Sequence, residues 1–141
     1  MAVYVETSAI AAWLLDQPAG WLAFEAVKRA DVVVSSDLTL VECERTLRRL
    51  VAAGDLSMSR ADLLRRELVT AASAWSVVPI GAEVVARARE AFPDDMIRAL
   101  DAIHLATALT ARVTVGELAV ITLDHRVHRN AIALGFEVLP A

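Results

Sequence analysis

Four acidic residues in distant parts of the chain could act together in one site: Glu6, Glu42, Asp101 and Asp124. Glu6 ends a β-rich segment, and Asp124 closely follows another. Glu42 and Asp101 fall in the first two turns of predicted helices. Because ligands of open parallel sheets bind beyond the C-terminal ends of the strands, we expect these four carboxylates to meet at one sheet edge.

Carboxylates gathered in this way need a counter-charge. Two unit charges about 4 Å apart interact by about 4 kcal/mol at an effective dielectric of 20, which is a large cost for a marginally stable domain. Either some of the groups are protonated or a cation lies among them. Oxygen ligands favour Mg²⁺ or Mn²⁺, and a thiolate zinc cage is excluded because Cys43 is the only cysteine. Such ions suit phosphodiester hydrolysis.

Each acidic residue also has a structural interpretation. Glu6 could be a strand-end charge favoured by a helix dipole, and Asp124 could be a helix cap. Glu42 could be a solvated residue at the flank of an apolar stripe, and Asp101 an ordinary first-turn acid. However, Asp101 interrupts an apolar run, where an unpaired buried charge is costly. Four such coincidences at one edge favour a single site.

Hydroxyl and imidazole groups accompany the acids. Thr7, Ser8 and Thr122 are expected as caps or strand-end hydroxyls, and Ser8 and Thr122 could alternatively hydrogen-bond the carboxylates and the waters on a metal ion. His104 lies one turn after Asp101 and is interpreted as a core histidine rather than a general base or ligand.

The elements that would position these residues alternate in the order βααβααβααβαβ. This order predicts an α/β fold, a three-layer α/β/α sandwich with a mainly parallel, five-stranded sheet. The strands are predicted at 2–6, 32–35, 75–80, 119–123 and 136–139. Helices are predicted at 81–91, at 98–113 and from Asp124 to Leu134, with a turn at Asp94 and Asp95. Residues 1–141 are expected to form a single domain.

Composition limits the function classes. The 57% hydrophobic content suits a packed core, and the absence of a long uncharged apolar stretch or signal peptide predicts a cytoplasmic protein. A net charge of −4 argues against a nucleic-acid partner. The distribution of the charges matters more than their sum, however, and 13 of the 14 basic residues are arginines. Several cluster in one stretch, and three of these are candidate RNA contacts: Arg45, Arg48 and Arg49.

Four segments together resemble a known family: VYVETSAI, LTLVECERTLRRL, RALDAIHLATAL and VITLDHRVHRNAIALGFEV. They occur in the order, and over almost the whole length, of a PIN domain, specifically that of the VapC-type toxins of bacterial toxin–antitoxin pairs. The resemblance implies a PIN fold over 1–141 and a Mg²⁺- or Mn²⁺-dependent endoribonuclease that cleaves tRNA or rRNA. Its acidic positions match Glu6, Glu42, Asp101 and Asp124, and its hydroxyl positions match Ser8 and Thr122.

The resemblance also implies partners. It indicates a homodimer and a small VapB-type antitoxin that wraps the toxin and inserts a peptide near the acidic site. Operator DNA would be contacted only through the antitoxin, and no membrane is involved.

One position departs from the family pattern. The first acidic residue is normally aspartate, in a DTSA segment, whereas Glu6 stands here. Glutamate extends the carboxylate by about 1.5 Å, and a misplacement of about 1 Å can cost on the order of a hundredfold in rate. We therefore expect metal binding with weakened cleavage.

Two alternatives stay open at the level of sequence. The same fold could be a non-catalytic binding module that only docks an antitoxin or RNA. A phosphoacceptor receiver domain also gathers acids at a parallel sheet edge, but it needs a late lysine, and the only lysine is Lys28 on an early helix.

Overall fold

The computed structural model describes all residues from Met1 to Ala141. Five parallel strands form one sheet in the order β3-β2-β1-β4-β5. The strands are β1 (Ala2–Val5), β2 (Val32–Ser36), β3 (Ser76–Val78), β4 (Leu118–Ile121) and β5 (Val138–Leu139). Seven helices connect them: α1 (Thr7–Leu14), α2 (Pro18–Arg29), α3 (Asp37–Ala52), α4 (Met58–Ala72), α5 (Ala82–Ala88), α6 (Ala99–Val115) and α7 (His125–Ala133). The predicted fold class and element order are confirmed.

The sheet has a hydrophobic core on each face because successive strand residues point to opposite sides. Val3 and Val5 of β1 pack with α1, α2 and parts of α3 and α4. Tyr4, between them, faces the other core, which α6 and α7 cover. The sheet is therefore the middle layer of three.

Several predicted elements extend beyond the observed ones, and three of the differences have a clear physical cause. Strand β3 ends at Val78 because Pro79 has no N–H to donate to the ladder. Helix α5 ends at Ala88 rather than at 91, since the chain turns back to bury Phe92 beneath the guanidinium of Arg87, 4.5 Å from the ring centre. Strand β5 begins at Val138 rather than at 136, because the Phe136 N–H closes the turn after α7 on the Ala131 carbonyl at 2.9 Å.

The strand order places a topological switch point between β1 and β4. From β1 the chain moves outward through β2 to β3, then crosses back to β4 and continues to β5 on the other side. Strands β1 and β4 are neighbours in register, with Val5 opposite Ile121. The crevice beyond the C-terminal ends of two such strands is the usual ligand site of an open α/β sheet.

None of the seven helices is long and apolar enough to span a lipid bilayer.

Candidate active site

Glu6 leaves β1 at the switch point and begins α1. Its extended backbone conformation makes it the N-cap residue, and its Oε2 accepts the Ser8 N–H at 3.1 Å. The hydroxyl of Ser8 donates to the same oxygen, and so does that of Thr122, at 2.7 Å, from the end of β4. These three donors hold the Glu6 carboxylate between the ends of β1 and β4. The residue is only 5% exposed.

Glu42 reaches the same region from the second turn of α3. Its Oε1 accepts hydrogen bonds from the Thr7 hydroxyl and from His104 Nε2, both at 2.6 Å. Burial disfavours ionisation of Glu42, but these hydrogen bonds outweigh it and hold the pKa of Glu42 below its ordinary value. The carboxylate is therefore anionic at neutral pH.

His104 lies between the two glutamates in the buried part of α6. Because ionised Glu42 can only accept, His104 Nε2 carries the proton that faces it. On the other side of the ring, the Tyr4 hydroxyl lies 2.7 Å from Nδ1. Burial raises the pKa of Tyr4 well above its ordinary value, so Tyr4 stays protonated. His104 Nε2 also lies 4.0 Å from Glu6 Oε1, so that one ring faces both glutamates.

Asp101 and Asp124 form the other half of the site, and both serve helix N-termini. Asp101 is 6% exposed, and its Oδ2 receives the backbone N–H of Arg98 at 3.4 Å in a capping box. Asp124 is the N-cap of α7, where its Oδ1 accepts the N–H groups of Arg126 and Val127 at 2.9 and 3.0 Å. The interpretation of Asp124 as a helix cap is thus correct, and it accounts for one of its two carboxylate oxygens.

Arg98 joins these two aspartates. Its Nε lies 3.3 Å from Asp101 Oδ2, and a terminal nitrogen lies 3.8 Å from Asp124 Oδ2. The hydrogen bond to Asp101 and the surrounding negative charge, Glu42 included, raise the pKa of the Arg98 guanidinium. His104 therefore contacts both glutamates, and Arg98 contacts both aspartates. The Thr122 hydroxyl joins the two pairs, because it donates to Glu6 and accepts the Asp124 N–H at 3.1 Å.

A divalent cation can be tested against this arrangement. As the side chains stand, no three His, Cys, Asp or Glu groups lie close enough together to hold a metal ion. The donor chemistry does fit a hard cation, because one oxygen of each acid accepts no hydrogen bond from the protein. These oxygens are Glu6 Oε1, Glu42 Oε2, Asp101 Oδ1 and Asp124 Oδ2. Convergence of these oxygens on one ion thus stays a prediction.

The predicted flanking residues differ in position. Ser8 and Thr122 both contact Glu6, with Ser8 Oγ and Thr122 Oγ1 3.2 Å apart. The three candidate RNA-contacting arginines are exposed on α3. Arg45 and Arg49 follow Glu42 by three and seven positions and so share its helix face. Arg48, in contrast, is engaged by Glu44 at 3.1 Å.

Sequence reasoning missed Arg98 and underrated Thr7 and His104. The segment RALD carried the signal for Arg98, because a residue three positions before Asp101 at a helix start lies one turn away. Thr7 was interpreted as a cap, yet its hydroxyl lies 2.6 Å from Glu42 Oε1 and 3.2 Å from His104. Such contacts join α1, α3 and α6, which are far apart in sequence, so spacing alone could not reveal them.

Comparison with known proteins assigns the family. Residues 3–133 match the PIN domain. This chain belongs to the PIN-domain family. Among curated relatives, the Ribonuclease VapC35 sequences of two Mycobacterium tuberculosis strains, CDC 1551 / Oshkosh and ATCC 25618 / H37Rv, are 30% identical to it. Each alignment covers 97% of this PIN-domain chain and 95% of the relative.

Solved structures share the fold of this PIN domain. One is VapBC2 from Rickettsia felis bound to a DNA fragment from its promoter, with a TM-score of 0.67 and 11% identity over 98% of this chain and 97% of that one. Another is a toxin–antitoxin complex from Klebsiella pneumoniae, with a TM-score of 0.65 and 17% identity over 99% and 98%. The expected PIN fold is therefore confirmed.

Proposed function

We propose that this PIN-domain chain is a metal-dependent endoribonuclease and the toxin of a VapBC-type toxin–antitoxin pair. The observation that carries the proposal is the position of Glu6 and Asp124 after neighbouring strands at the switch point, with Glu42 and Asp101 linked to them through His104 and Arg98. The relatives named Ribonuclease VapC35 support the activity.

Glu6, Glu42, Asp101 and Asp124 would hold Mg²⁺ or Mn²⁺ through their free oxygens. When bound, such an ion supplies positive charge to a phosphodiester and makes a water more acidic. The protein fixes the ligands beforehand: Ser8 and Thr122 hold Glu6, while Thr7 and His104 hold Glu42. This preorganisation keeps like-charged groups together before any substrate arrives.

The substrate we propose is structured RNA, tRNA or rRNA, gripped along its backbone. Arg45 and Arg49 extend from the Glu42 face of α3, where they can neutralise phosphates next to the acidic edge. Specificity in such a nuclease comes from surface shape and RNA structure rather than from a readable base code. Sequencing of RNA ends after induced expression, with D101N as the reference, would identify the cut site.

The partners we propose are a VapB-type antitoxin and a second copy of this chain. The related solved structures are toxin–antitoxin complexes, which supports the antitoxin. Operator DNA would be reached only through it. Exposed apolar side chains on α4, including Met58 and Val69, offer surface for either partner.

Cleavage of purified tRNA or rRNA tests the proposal. We expect cleavage in Mg²⁺ or Mn²⁺ that stops in excess EDTA, and a loss of at least about a hundredfold in D101N. D124N removes the charge of a second acid. Because asparagine also caps helices, this substitution does not unfold the start of α7, and any loss of cleavage reports the missing charge. Cleavage that continues in EDTA, or equal rates for D101N and the unchanged chain, would contradict the proposal.

A second candidate is the non-catalytic binding module. It is favoured by the glutamate at position 6 and by the present lack of a three-residue metal cluster. In that case the purified chain would bind antitoxin or RNA but would cleave nothing in either metal, whatever residue stands at position 101.

A further inference from the structure

Arg98 occupies a distinctive place in the acidic site. It is the only arginine that contacts two of the four acids, and both contacts are made by a side chain that is 63% exposed. Its backbone is held as the N-cap of α6, whereas its guanidinium has no other protein partner. The charged group can therefore move away from the acids without a rearrangement of the backbone.

The contacts of Arg98 with Asp101 and Asp124 are also long. Distances of 3.3 Å and 3.8 Å are longer than the 2.7–2.9 Å typical of charge-assisted hydrogen bonds. Exposed ion pairs of this kind contribute little free energy, because water screens the charges and a long side chain must be ordered. The guanidinium nevertheless adds one positive charge beside Asp101, Asp124 and, at longer range, Glu42.

We infer that Arg98 is an internal competitor of the divalent cation, one that neutralises Asp101 and Asp124 and must swing out before the ion binds. This inference rests on the proposed function, since it assumes that these acids are metal ligands. The Arg98 guanidinium faces Asp124 Oδ2, one of the oxygens assigned to the ion, and a cation bound there would be repelled by its positive charge. Arg98 therefore lowers metal affinity while it protects the folded protein from repulsion between the acids.

The test compares R98Q with the unchanged chain in calorimetric titrations with Mn²⁺. Removal of the competitor should tighten Mn²⁺ binding by about three- to tenfold, the range expected for two exposed ion pairs. R98K keeps the charge but cannot use two nitrogens in a planar fork, so its affinity should lie between the two.

R129Q is the matched control. Arg129 forms a single ion pair with Asp94 at 3.7 Å and is 65% exposed, nearly the same as Arg98, yet it forms no ion pair with any of the four acids. The substitution changes the net charge equally, so Mn²⁺ affinity should stay within about twofold of the unchanged chain. An R129Q effect as large as that of R98Q would overturn the inference in favour of a general charge effect.

Thermal unfolding gives a second readout that is independent of activity. In EDTA, R98Q should unfold at a lower temperature because the acids lose their counter-ion, and saturating Mn²⁺ should remove this difference. If R98Q binds Mn²⁺ no more tightly than the unchanged chain, the inference is wrong while the proposed function stands. Should neither protein bind Mn²⁺ at all, both are wrong.

Discussion

At the scale of single residues, the site depends on how each carboxylate is held. Glu6 is the acid with the most donors, yet all of them converge on Oε2. Its other oxygen faces His104 at 4.0 Å. The side chain is therefore bound through one oxygen to the scaffold, which leaves the other for a ligand.

The length of this side chain leads to the first prediction. E6D shortens the carboxylate arm by one methylene, to the form usual in the family pattern, and aspartate is also the better N-cap for α1. We expect E6D to cleave RNA faster than the unchanged chain, by about tenfold or more, with similar stability. Initial rates in saturating Mg²⁺ measure the effect. Equal rates would show that glutamate does not attenuate the enzyme.

His104 gives a second prediction at this scale. H104A leaves the Tyr4 hydroxyl and Glu42 without their buried partner and opens a cavity, so the free energy of unfolding should fall by about 3 kcal/mol. Mn²⁺ affinity should fall as well, because Glu42 is no longer oriented. Urea unfolding and calorimetry would measure the two changes. T7V, which removes only one donor from Glu42, should cost clearly less. A stability change below about 1 kcal/mol for H104A would rule out the network as described.

At the scale of elements, the acids lie at one edge of the sheet because four helices begin there. Helices α1 and α7 start at the N-caps Glu6 and Asp124, and Asp101 lies in the first turn of α6. Acids are favoured at these positions by the helix dipole as well as by capping. Structural and functional interpretations of these residues are therefore compatible, since one carboxylate oxygen serves the helix while the other is free.

The close crossing of α1 and α2 gives the third prediction. A Cβ at Gly20 would lie 2.2 Å from backbone atoms of Ala12 and Trp13, so alanine cannot fit without moving α1. Although alanine is the better helix former, G20A should destabilise the protein by at least about 2 kcal/mol. Because α1 carries Thr7 and Ser8, cleavage should also fall.

G81A is the control, since nothing lies within 4 Å of a Cβ there and Gly81 has an ordinary extended conformation. Its stability should fall by no more than about 1 kcal/mol, because Gly81 is the N-cap of α5 and alanine caps helices less well. Urea unfolding of both variants measures the difference. Similar stabilities for G20A and G81A would contradict the close packing of α1 on α2.

At the scale of the whole molecule, periodicity and turn residues predicted the element order and the parallel sheet. The strand predicted at 32–35 and the helix predicted from Asp124 to Leu134 match β2 and α7 to within one residue at each end. What could not be predicted depends on contacts between distant segments. Two such contacts are the ion pair of Arg98 with Asp124 and the placement of the His104 ring between two glutamates. They depend on the length and direction of the side chains, which strand order and local spacing do not reveal.

The charge distribution of the molecule is also more balanced than the sequence indicated. Arg65 and Arg48 both pair with Glu44, and Arg65 also contacts Asp62. Part of the arginine-rich stretch is thus neutralised within α3 and α4. Arg45 and Arg49 form no ion pair with another side chain, so RNA contact is best sought there.

The most direct measurement is an anomalous difference map from crystals soaked in Mn²⁺. We expect a peak at the C-terminal edge of β1 and β4, with oxygens of Asp101 and at least two of Glu6, Glu42 and Asp124 around it, and with the Arg98 guanidinium withdrawn. A fully soaked crystal without a peak at this edge, or with Mn²⁺ bound only elsewhere, would contradict the claim that these four carboxylates form a metal site.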